Sequence, residues 1–187
     1  MSRNGAAGLR RQTLMTPRQV STTAKIMGFG LSNLSRNLNF VTEALAQDLL
    51  PWLDAISYHS YTVDDFNRVR RIEDLRSVCR MRGRVPEIIQ GETGSQSRSD
   101  GAGAMKGFAW TPERQRKHLL RYMLCDLAAD VTFSSHFTTV DMIEALRGVL
   151  GDKNSYLDYG YFGVIGADFD EEGRATGEYT EKPSYYA

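Results

Sequence analysis

What this sequence lacks removes several classes of function before any motif is read. No run of about 18 apolar residues occurs, so no segment reads as a membrane span and no membrane partner is expected. Neither sign of charge is in excess: 23 basic residues face 23 acidic ones, which gives no general reason to expect nucleic acid or an anionic surface as partner. Only two cysteines are present, Cys79 and Cys125, both in helix-like segments. They read as small buried hydrophobes of a reducing compartment, or as at most one disulfide. There is no GxGxxG and no P-loop, and Gly28-Phe29-Gly30 is too short to cradle a phosphate, so no cofactor is expected. The three histidines, His59, His118 and His136, show neither HxH nor HExxH spacing, and no metal is expected. Arg10-Arg11 is followed by no apolar stretch, which rejects an export signal and points to a cytoplasmic chain.

What is present is a globular composition, 41% hydrophobic and 25% charged over 187 residues, enough for one sizeable core. Residues 1–22 read as a poorly ordered or helical N-terminal segment and 23–187 as the folded part. Strands are expected at 24–31, 53–58, 87–92 and 131–135. Between them lie helices over 37–50, with Leu38, Val41, Leu45 and Leu49 at helical spacing, and from Asp64 or Asp65 to Arg82, with Phe66, Val69, Ile72, Leu75 and Val78 on one face. Thr111-Pro112 opens a third helix running to Ala129, with Thr as N-cap and Pro at the first helical position. A short helix is expected over Asp141–Val149, and an irregular, Gly- and Tyr-rich tail over 151–187. The strand starts recur every thirty to forty residues or so, about one βα unit, so neighbouring strands should be parallel with right-handed crossovers. The arginines of the second helix, Arg68, Arg70, Arg71, Arg76, Arg80 and Arg82, together with Arg84 just beyond it, read as a solvated face rather than a nucleic-acid site. Asp168, Asp170, Glu171 and Glu172 lack the alternation of a calcium loop and read as a polar hairpin turn.

The polar residues choose among α/β folds. His59, Tyr61, Glu92 and His136 each fall just past the end of an expected strand, the rim where a (β/α)8 barrel assembles its sites from several strands at once. The fold expected is therefore α/β, a partial (β/α)8 barrel covering about four strands. The run Pro86-Glu87-Ile88-Ile89-Gln90-Gly91-Glu92-Thr93-Gly94 is central: a short apolar strand delivers one carboxylate to the rim, followed by a flexible loop over 95–107 rich in glycine.

Asp54-Ala55-Ile56-Ser57-Tyr58-His59-Ser60-Tyr61, followed by Glu92-Thr93-Gly94, resembles strands six and seven of the clan-A retaining glycoside hydrolases. The tail from Asp158-Tyr159-Gly160-Tyr161-Phe162-Gly163 to Lys182-Pro183-Ser184-Tyr185-Tyr186-Ala187 resembles the segment leading into that clan's eighth helix, and the nearest branch is the one around β-xylosidases and α-L-iduronidases. The resemblance spans 23–187, the C-terminal half of a barrel from strand five to strand eight. It implies Glu92 as nucleophile, with Tyr61 donating a hydrogen bond to it and His59 bonding a sugar hydroxyl or a neighbouring carboxylate, unless His59 is a structural rim histidine. Gln96, Arg98, Trp110 and His136 are the residues expected to meet a glycoside or polysaccharide, although Trp110 beside a helix cap also suits simple packing.

One departure weakens the chemistry. The clan carries its general acid/base on a Glu following an Asn, and no Asn-Glu dipeptide occurs here; the first Glu of the chain is Glu43, inside an expected helix. Acid/base assistance contributes roughly 10²–10⁴-fold, so the chain alone should be weak or inactive. A half barrel also exposes strand edges, which calls for a homodimer, a complementing half-barrel, or a truncated product. The alternatives are a saccharide-binding protein without turnover and a metal-dependent (β/α)8 hydrolase using His59, Glu92, His136 and Asp141.

Overall fold

The computed structural model describes residues 23–101, 103–144, 158–170 and 174–187. The segment 1–22, the end of the helix expected to reach Val149, and Glu171 and Glu172 lie outside the described residues. In chain order the elements are β1 (Met27–Leu31), α1 (Leu34–Leu45), a 3-10 turn (Leu50–Trp52), β2 (Ala55–His59), α2 (Asp65–Arg80), β3 (Glu87–Thr93), α3 (Pro112–Ala128) and β4 (Phe133–His136). Then follow β5 (Met142–Glu144), β6 (Asp158–Gly160), β7 (Ile165–Phe169), β8 (Ala175–Glu181) and a 3-10 turn over Pro183–Tyr186. The first four strands form one parallel sheet in the order β1-β2-β3-β4, each joined to the next through a helix. The architecture is thus mixed α/β with a parallel four-stranded sheet.

The chain folds as two compact units. Among the described residues the first holds 23–60, 66–91 and 126–134, and it contains the buried hydrophobic cluster. Asn33 caps α1 by accepting from the Arg36 amide at 3.2 Å, which starts that helix earlier than its apolar spacing alone suggests. Leu34, Val41 and Leu45 then point inward against Ile56 and Tyr58 of β2, Ile72, Leu75, Val78 and Cys79 of α2, and Ile88 of β3. β1 carries a register shift against β2 between Gly28 and Leu31, where Phe29 (φ 81°) and Gly30 (φ 50°) are left-handed.

Helix α2 corrects two expectations at once. Phe66, placed on the buried face by periodicity, is 91% exposed, while Arg68, placed on the solvated face, is 2% exposed. The reason is a partner distant in sequence. Arg68 Nη2 donates to the Ser60 carbonyl at 3.2 Å and its Nη1 lies 3.8 Å from Asp126 Oδ1. Asp126 also accepts from the Ser134 hydroxyl at 2.6 Å. Burial pushes the Asp126 carboxyl above its usual range and the nearby Tyr58 phenol upward as well. Cys79 is fully buried, its thiol pushed up to about 11 by desolvation, and both cysteines are free thiols.

Among the described residues the second unit holds 61–65, 92–101, 103–125, 135–144, 158–170 and 174–187. Thr111 accepts from the Arg114 amide at 3.2 Å and Pro112 takes the first helical position, as expected. Two expectations fail here. The start of the predicted Asp141–Val149 helix is strand β5, paired antiparallel with β6, and the tail predicted to be irregular contains the antiparallel hairpin β7–β8. The residues 138–141 are drawn into extended pairing with 162–165: the amides of Val164 and Ile165 donate to the carbonyls of Thr138 and Thr139, and that of Asp141 to Ile165. Such long-range backbone pairing overrides a weak local helical pattern.

Candidate functional site

The site is built within the second unit, from Glu92 outward. Glu92 is the penultimate residue of β3 and is half-buried. The Tyr61 hydroxyl, on the segment leaving β2, donates to Glu92 Oε1 at 2.7 Å. The Tyr61 ring is fixed in turn by an edge contact with Phe162 at 6.1 Å between centroids, and Phe162, 1% exposed, meets Phe137 at 5.6 Å. Gly94, two residues past Glu92, allows this closeness: a Cβ there would stand 2.1 Å from the Phe137 carbonyl oxygen.

The loop that follows is not the flexible element its composition suggests. Thr93, Ser95, Gln96 and Ser97 are essentially fully buried. Gln96 accepts from the Tyr161 amide at 2.8 Å and donates to the Ala104 carbonyl at 3.2 Å. Gln115, on the first turn of α3, places its amide nitrogen 2.9 Å from the Ser95 carbonyl and 3.2 Å from those of Tyr161, Phe162 and Gly163, while Ser184 donates to its oxygen at 2.8 Å. Lys182 closes the hub from the other end of the chain, with Nζ 2.6 Å from Asp141 Oδ1 and 2.8 Å from Ser97 Oγ. Burial pushes Asp141 up and Lys182 down from their ordinary values, and their ion pair opposes both shifts. Gln96, Ser97, Gln115, Asp141, Lys182 and Ser184 therefore weld the start of the loop to the tail.

The other expected site residues are placed as follows. Gln96 is spent on backbone groups, as just described. Trp110 is 7% exposed, donates from Nε1 to the Met105 carbonyl at 2.7 Å and packs edge-on against His118 at 5.4 Å, which is the packing role. Arg98 is on the surface, paired with Asp100 through two nitrogens at 3.0 and 2.6 Å and lying 4.4 Å above the Tyr161 ring. His136, the last residue of β4, meets the Tyr122 hydroxyl through Nδ1 at 2.7 Å and stacks on that ring. Desolvation, aided by His118 and Lys182 and opposed by the Phe162 backbone, lowers its pKa to about 4, so it is a neutral imidazole at pH 7. His59 belongs to the first unit, where it ends β2; a Cβ on Gly91 would come within 3.3 Å of its Nε2. The metal alternative loses a ligand, because Asp141 is committed to Lys182 and the Gly163 amide, and no cluster with metal-holding geometry exists among the described residues.

Sequence reasoning missed Gln115, Ser97 and Ser184 as members of this hub. A lone Gln on an amphipathic helix carries no sign that four carbonyls will converge on it.

No family model and no curated protein matches the chain. Its fold is similar to part of the β-D-glucuronidase of Dictyoglomus thermophilum, with a TM-score of 0.60 and 16% identity over 97% of this chain. It is also similar to β-glucuronidase 2 of Bacteroides uniformis, solved covalently bound to cyclophellitol-6-carboxylate aziridine, with a TM-score of 0.57 and 14% identity over 86% of this chain. The chain spans only 28% and 18% of those two proteins. The likeness is one of fold, it runs to enzymes of the glycoside hydrolase kind, and it lends nothing to the β-xylosidase and α-L-iduronidase branch.

Proposed function

We propose that this chain forms the nucleophile-bearing half of a retaining glycoside hydrolase, with its parallel sheet as the C-terminal half of a (β/α)8 barrel. The observation that carries the reading is the 2.7 Å hydrogen bond from Tyr61 to Glu92, on the segments at the C-terminal ends of adjacent parallel strands. Retaining hydrolysis needs a carboxylate held in one orientation at the anomeric carbon, and a phenolic donor from the next strand holds it. In the first step Glu92 attacks that carbon while the glycosidic C–O bond breaks, and the leaving oxygen departs with the electron pair. In the second, water bonds to the anomeric carbon as the ester bond to Glu92 breaks, its proton passes to bulk water, and the carboxylate is regenerated. Phe162, itself packed edge-on against Phe137, is the surface on which the Tyr61 ring rests. The general acid that protonates an ordinary leaving group comes from residues outside this sequence, in a longer chain or a complementing one.

A dinitrophenyl 2-deoxy-2-fluoro-β-glucuronide tests this directly, because its leaving group departs without a proton and the fluorine slows the second step. The expected result is dinitrophenolate release with a stable adduct on Glu92 by peptide mass, absent in Glu92→Gln. Adduct at another residue, or equal release by Glu92→Gln, overturns the assignment. The missing Asn-Glu favours a second reading, a saccharide binder without turnover; binding of the fluoroglycoside without any release would select it. The glucuronide and its xylose and galactose counterparts, run side by side, decide the sugar.

A further inference from the structure

We propose that His118 is a positioning residue for Tyr61, acting through the Thr62 carbonyl; this rests on the reading of Glu92 as nucleophile. His118 lies in the second turn of α3, 3% exposed. Its Nε2 is 3.0 Å from the Thr62 carbonyl oxygen, and since a carbonyl only accepts, Nε2 carries the proton. The ring cannot swing away. Trp110 abuts it edge-on at 5.4 Å and Tyr122 at 5.6 Å, and Trp110 is itself anchored on Met105. Three residues on, one turn further along the same face, Arg121 grips the same segment through Asp65, with Nε at 2.8 Å from Oδ2. The stretch 61–65 is thus held at two points by one helix, and the Thr62 hydroxyl accepts from the Asp64 amide at 3.1 Å to make it a compact turn.

The consequence falls on the residue before Thr62. Tyr61 reaches Glu92 with a single hydroxyl, and a tyrosine ring pivots about its backbone, so a small change in the Thr62 peptide becomes a large displacement at the phenolic oxygen. Fixing that peptide from α3 fixes the donor on the carboxylate. His118 touches neither Glu92 nor substrate in this scheme; it sets the partner that does.

The test uses the whole chain as wild type, His118→Gln, which keeps an N–H in place of Nε2, and His118→Met, of similar length without a donor. Adduct formation on Glu92 by the fluoroglucuronide should slow about tenfold in His118→Met and stay within about twofold of wild type in His118→Gln. In a Tyr61→Phe background His118→Met should slow it no further, because the two act in series. Equal slowing in both backgrounds, or loss of rate in His118→Gln as large as in His118→Met, overturns the proposal. If the wild-type chain forms no adduct on Glu92, it is the glycosidase reading that fails. The clamp is then decided by amide hydrogen exchange: faster exchange over 61–65 in His118→Met with α3 unchanged supports it, and unaltered exchange there overturns it. Should His118→Met not fold, Arg121→Ala, which cuts the second grip from the solvent side, is read by the same exchange over 61–65.

Discussion

The two units of this chain solve the problem of order by opposite means. The first is held by an aliphatic cluster in which Val41, Ile56, Leu75 and Ile88 are almost wholly buried, with the Arg68–Asp126 pair as its main polar inclusion. The second buries Gln96, Ser97, Gln115, His118, Asp141, Lys182 and Ser184, and its buried apolar residues include the aromatics Trp110, Tyr122 and Phe162. Apolar burial is non-directional: it fixes that elements pack, and tolerates changes in how they pack. Hydrogen bonds among buried groups are directional, and fix where each atom stands. The unit that contains the hydrogen bond between Tyr61 and Glu92 is the one built from directional contacts.

The contrast can be broken most sharply at Lys182. Lys182→Ala leaves the Asp141 carboxylate buried without its ammonium and should cost about 3–5 kcal/mol in denaturant unfolding. The double change Lys182→Met with Asp141→Leu should recover at least half of that, since the charge goes with its partner. In the first unit, Leu75→Ala removes apolar volume and should cost about 2–5 kcal/mol, with no second site able to restore it by charge cancellation. A smaller effect sharpens the comparison through pH. His136 has a folded pKa of about 4 against an ordinary 6.5, so the unfolded chain takes up the proton first. Stability should therefore fall as pH drops from about 6.5 toward 4, by about 2 kcal/mol at pH 5, and His136→Gln should remove that part of the slope.

The same contrast explains what the sequence disclosed. The aliphatic unit announced itself: the alternation of short apolar runs with helical spacing located β1, β2, α1 and α2 to within a few residues, and Thr111-Pro112 marked the start of α3. Periodicity still failed at Phe66 and Arg68, because the choice between them lies with Asp126, far along the chain. The directional unit was largely silent. Residues 95–107 have the composition of a mobile loop, yet Ser95 and Ser97 are bolted down by Gln115 and Lys182, which come from segments no local window contains. The hydrogen bond between Tyr61 and Glu92 could be anticipated only because a resemblance supplied the pairing of strands.

The missing Cβ at position 94 has a consequence for recognising such chains by eye. Any side chain there must collide with the Phe137 oxygen, which belongs to backbone and cannot step aside. A carboxylate followed two places later by glycine is then a spelling rule that the architecture enforces on its own alphabet.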